Sequence, residues 1–71
     1  MDINELVENI RVDLRERPDR HFSEIYVRSM QRGASGAAVR RALSGMLERD
    51  EIRIRDGKWR LIAPVERRKS A

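Results

Sequence analysis

The sequence predicts a small α+β fold, mainly α, in which three amphipathic helices precede a C-terminal two-stranded β-hairpin. Three observations carry that prediction. Apolar residues recur at helical spacing as far as about residue 49, and proline or glycine falls where the first two helices must stop. The last patterned stretch alternates apolar and basic residues around Asp56-Gly57. Seventy-one residues suffice for one domain and not for two. The domain is expected over residues 1–63, and residues 64–71, with Arg67, Arg68 and Lys69, are expected to be a basic, disordered tail.

The first helix is expected over residues 3–16. Ile3, Leu6, Val7, Ile10 and Leu14 form its apolar stripe, with Glu5, Glu8, Arg11 and Arg15 opposite. Asp2 is placed to cap it, with Glu5 three residues on as in a capping box, and Pro18 disfavours helix at Arg17. A second helix is expected over 24–32, capped by Ser23, stapled by Phe22 against Val27, and buried through Ile25, Tyr26 and Met30. Gly33 suits the left-handed residue that closes it. The third helix is expected over 36–49 behind the cap Ser35, burying Val39, Ala42, Leu43, Met46 and Leu47. Its opposite face shows Ala37, Arg40, Arg41, Ser44 and Glu48. Helix, tight glycine turn and helix is the pattern of a helix-turn-helix.

Asp56-Gly57 favours a two-residue type I′ turn, which sets the hairpin register. Arg55 falls opposite Lys58, Ile54 opposite Trp59, Arg53 opposite Arg60 and Ile52 opposite Leu61. One face is then Ile52, Ile54, Trp59 and Leu61, expected to pack on the helices. The other is Arg53, Arg55, Lys58 and Arg60. Like charges directly opposite one another cost about 0.2–1 kcal/mol per pair. That face either approaches phosphates, where repulsion becomes attraction, or is an ordinary solvated strand surface.

Composition removes several classes of function. There is no cysteine, hence no disulfide or thiolate metal site, and His21 is the sole histidine. No metal or other cofactor and no small-molecule ligand is expected, and no paired carboxylates or nucleophile–base arrangement suggests catalysis. His21 reads as a partly exposed residue entering the second helix, and Trp59 as a core residue before a base-stacking one. No apolar run approaches the roughly 20 residues of a membrane span, so a cytoplasmic protein is expected. Residues 1–19 hold six acids against three arginines, a balance of −3, whereas residues 20–71 hold thirteen bases against six acids, a balance of +7. That asymmetry points to a polyanionic partner. A codon preference for arginine is one explanation of fourteen arginines against two lysines, but it does not explain where the bases sit.

Three helices followed by an Arg/Lys-rich hairpin with an aromatic near its end resemble the winged helix-turn-helix superfamily, over about residues 3–63. The resemblance implies that the third helix reads the major groove of double-stranded DNA while the hairpin wing touches backbone or minor groove. It assigns groove recognition to Ser35, Ala37, Arg40, Arg41 and Ser44, and wing contacts to Arg53, Arg55, Lys58 and Arg60. Winged helices that bind left-handed Z-DNA share the layout and a tryptophan in the last strand. They carry an asparagine and a tyrosine where this chain has Arg40 and Ser44. The leading expectation is therefore a small DNA-binding regulator of transcription, with the acidic first helix available for homodimerisation. The alternatives are a non-specific architectural nucleic-acid binder and a protein-interaction module that docks an acidic partner. Structured RNA stays open as the nucleic acid.

Overall fold

The computed structural model describes residues 2–62, so the expected tail lies outside the described residues. The fold is α+β and mainly helical, with elements in the order α1 (Ile3–Glu16), β1 (Arg20–His21), α2 (Phe22–Gln31), α3 (Gly36–Glu48), β2 (Ile52–Arg55) and β3 (Lys58–Leu61). The strands form one antiparallel sheet in the order β1-β3-β2. The expected hairpin is present in its expected register. A third strand joins it, pairing Arg20 with Trp59 and His21 with Lys58.

Helix termini follow from local chemistry. The Asp2 carboxylate accepts from the Asn4 amide at 3.3 Å. At the other end Arg17, before Pro18, is extended (φ −137°, ψ 90°), and α1 stops there. The Ser35 hydroxyl accepts from the Ala38 amide at 3.1 Å, as a cap for α3 should. Both later helices close in the left-handed manner that satisfies final carbonyls. At the end of α2, Gly33 has φ +100°, and the Gly33 and Ala34 amides donate to Met30 and Ser29. At the end of α3 the left-handed residue is Asp50 (φ +55°), with the Asp50 and Glu51 amides donating to Leu47 and Met46.

The start of α2 departs from expectation. Its N-cap is His21, which makes no side-chain capping bond, and the helix begins at Phe22, so Ser23 is not the cap. The cause is non-local. Pairing with β3 holds the chain extended through His21, and helix can start only where that pairing ends. The Phe22–Val27 staple is also absent: Val27 is 52% exposed, while Phe22 packs against Tyr26 and Trp59.

Leu6, Ile10 and Leu14 of α1 meet Ile25 of α2, Val39, Leu43 and Met46 of α3, and Ile52 of β2 in one core. Burial of such side chains contributes about 1.5–3 kcal/mol each. Four expected core residues lie at its margin instead. Ile3, Met30, Leu47 and Ile54 are 37%, 47%, 37% and 46% exposed. The buried line of α2 runs Ile25–Ser29, which turns Met30 outward. Ile54 lies on the edge strand β2, whereas its partner Trp59 is on the middle strand and packs against Phe22. Only Ile52 of β2 is buried.

Candidate nucleic-acid interface

The sites predicted on α3 and on the hairpin are both exposed, but their residues are not equivalent. On a helix of 3.6 residues per turn, adjacent side chains diverge by about 100°. Arg40 leans towards α2, where its guanidinium carbon lies 5.8 Å from the centre of the Tyr26 ring. Arg41 leans the other way. With Ser44 it lines an open groove against Ile3, Val7 and Arg11 of α1, floored by Gly45. Between the two arginines the crest of α3 is low, formed by exposed Ala37 and Ser44. Glu48 follows one turn on, so the cationic part of this face is its N-terminal half.

Ser35 and Gly36 have internal duties. The Ser35 lone pair serves the helix cap, which leaves its O–H to donate outward. The missing side chain of Gly36 makes room for Tyr26, whose hydroxyl a Cβ at this position would overlap. Gly45 is open by comparison, because an added Cβ would meet only the far end of the Arg49 side chain, at 3.2 Å.

The outer face of the sheet carries Arg53, Arg55, Lys58 and Arg60, all exposed. Arg53, Arg55 and Arg60 line one shallow cleft with Leu61 and Ile62. Directly paired residues share a face of a sheet. The pairing of His21 with Lys58, and of Lys58 with Arg55, therefore sets His21, Lys58 and Arg55 in one row across three strands. Exposed His21 belongs to this face, which the sequence could not indicate because β1 is only two residues long. Arg20 pairs with Trp59 on the opposite, apolar face and is 8% exposed, with Glu24 at 3.4 Å.

Ion pairing sorts the cations further. Asp13, 4% exposed, takes Arg32 in a two-bonded grip at 2.9 and 3.0 Å and Arg28 at 3.1 Å. Glu51 takes Arg11 at 2.6 Å and Arg49 at 3.1 Å. Burial works against ionisation of Glu51, but those two guanidinium groups outweigh it and hold its carboxyl below the usual range. Arg15 faces Glu8, and Arg60 faces Asp19 at 3.8 Å. Among the described residues, the cations that make no ion pair are Arg17, Arg40, Arg41, Arg53, Arg55 and Lys58. Five of those six are residues singled out on α3 and the hairpin.

No family model matches the chain, and neither does any curated protein or solved structure. Among the described residues no three potential metal ligands cluster, and no helix is long and apolar enough to cross a membrane.

Proposed function

We propose that this chain is a winged helix-turn-helix domain that binds double-stranded DNA as a small regulator of transcription. In this reading α3 enters the major groove, and the hairpin lies as a wing on backbone or minor groove. The observation that carries it is the partition of the cations. Arginines that build the fold are matched to carboxylates, whereas Arg40, Arg41, Arg53, Arg55 and Lys58 are left without one among the described residues. Cations placed for stability alone would be interleaved with acids. Unmatched cations concentrated on two exposed elements suit a polyanion.

The low Ala37–Ser44 crest with an arginine on either flank suits insertion between two phosphate strands, within arginine reach of guanine edges. Antiparallel pairing of β3 with both neighbours gives the wing a firm base. The acidic N-terminal region is unsuited to DNA and is the proposed self-association surface, through the exposed side of α1.

The experiment follows from the partition. Binding of a random duplex is measured across salt for two triple variants. Arg53→Ala/Arg55→Ala/Lys58→Ala should make the slope of log K against log salt shallower by about 2–3, at roughly 0.9 for each phosphate no longer neutralised. Arg15→Ala/Arg28→Ala/Arg49→Ala removes the same charge from matched positions, leaves Glu8, Asp13 and Glu51 one arginine each, and should leave the slope close to native. Equal effects would mean that net charge, not these elements, attracts the polyanion. A duplex library then separates a regulator, which enriches one sequence by several kcal/mol, from an architectural binder, which enriches none.

A further inference from the structure

The chain contains one phenylalanine, one tyrosine and one tryptophan. The fold strings all three into a row that ends on a cation. Trp59 of β3 lies 5.9 Å from Phe22, centre to centre, and Phe22 lies 5.6 Å from Tyr26, both pairs tilted. The Arg40 guanidinium follows at 5.8 Å from the Tyr26 ring centre. Each ring is half-buried and packs on the core. The row therefore joins the middle strand of the sheet to the second turn of α3 by way of the first turns of α2.

Rings packed in this way have few places to go, and a guanidinium on a ring face is held there by the ring quadrupole. An arginine so placed has surrendered part of its rotamer freedom before any partner arrives, which favours association. Arg41, one residue on, has no ring or carboxylate partner among the described residues. Gly36 contributes to the arrangement, because a side chain there would overlap the Tyr26 hydroxyl and could not coexist with the ring in the position that meets Arg40.

We infer that Tyr26 is a positioning residue for sequence recognition: braced through Phe22 against Trp59, its ring holds Arg40 in the pose that contacts a base edge. The inference rests on the DNA-binding reading above and deepens it. Arg40 is the sequence-reading cation, Arg41 a phosphate-seeking one, and the wing strand and α3 share a single aromatic support.

The test is a cycle of Tyr26→Leu, Arg40→Ala and the double variant, with Tyr26→Phe as rescue. The probe is the duplex that the native chain selects from a random library, with an unselected duplex as control. Tyr26→Leu should weaken binding to the selected duplex about three- to tenfold, the size of a lost cation–π support. Affinity for the unselected duplex and the salt slope should not change, since no charge is lost. Tyr26→Phe should bind as native, and Tyr26→Leu should have no further effect once Arg40 is alanine. Gly36→Ala, which keeps the ring but moves it, should reproduce the selective loss and settles the matter if Tyr26→Leu fails to fold. Independently of DNA, the Arg40 Nε–H resonance should be shifted by the ring in native protein and Tyr26→Phe, and not in Tyr26→Leu.

Additive losses in the cycle, or equal weakening on both duplexes, would overturn the inference while leaving DNA binding intact. A library without a preferred sequence would overturn it as well. A native chain that binds no duplex would remove the underlying reading, and the inference with it.

Discussion

Asp13→Asn should be among the most damaging isosteric changes available in this fold. Asp13 is 4% exposed on the inner side of α1 and receives three guanidinium nitrogens from α2 and its C-cap, at 2.9, 3.0 and 3.1 Å. Removing one partner of a fully buried pair costs about 3–5 kcal/mol. The arginines here keep contact with water, their side chains being 45% and 31% exposed for Arg28 and Arg32, and they can re-solvate. What is lost is chiefly hydrogen bonding to a charge, at roughly 1.5–3 kcal/mol per bond, part of which the amide oxygen of Asn retains. A net cost of about 2–3 kcal/mol follows. A domain of this length has roughly 4–10 kcal/mol in total. The melting temperature should therefore fall by about 10–20 °C. Urea unfolding followed by circular dichroism, with exposed Glu16→Gln as control, reads the difference directly. A loss under about 0.5 kcal/mol, equal to the control and within the range of ordinary surface changes, would refute the claim that this triad ties α1 to α2.

Two further outcomes concern the C-terminal end of α3. The Glu51 carboxyl is held below its ordinary value of 4.5, so its contribution is full above that value and is lost as pH falls through the lower folded value. The stability gap between native and Glu51→Gln should hence be constant near neutrality and close on acidification. A gap that widened in acid would contradict the sign. Asp50→Gly should stabilise the fold by up to about 1 kcal/mol in urea titration, since Asp50 sits at φ +55° where glycine is unstrained. A loss would show that the Asp50 side chain supports the turn.

What could be read from the sequence was local. The bounds of α1 follow from Asp2, the 3.6-residue stripe and Pro18, and the hairpin register follows from Asp56-Gly57, because each depends on residues within one or two turns of chain. Features that depend on distant partners were not legible. The first turn of α2 shifts because β1 pairs with a strand almost forty residues later. Asp13, three residues after Ile10, falls on the buried side of α1, and nothing nearby in the sequence reveals the arginines of α2 and its C-cap that meet it there. The basic part of the candidate interface, Arg40, Arg41, Arg53, Arg55, Lys58 and Arg60, was readable from helical and strand pattern, whereas Ser35, Ala37 and Ser44 join it through the resemblance. The division of labour among them was not readable. That Arg40 rests on Tyr26, that Gly36 is vacant for the same ring, and that His21 extends the basic row all follow from packing between elements.

The central claim is that the unmatched cations of α3 and the hairpin bind duplex DNA. Fluorescence anisotropy with a random duplex of about 20 base pairs, titrated across salt for the native chain and Arg40→Ala/Arg41→Ala, tests it most directly. The expected result is submicromolar binding at low salt with a slope between about −4 and −6, for roughly five or six phosphates, and weaker binding with a shallower slope in the double variant. No binding of the native chain at about 50 mM salt, or a double variant indistinguishable from it, would contradict the claim.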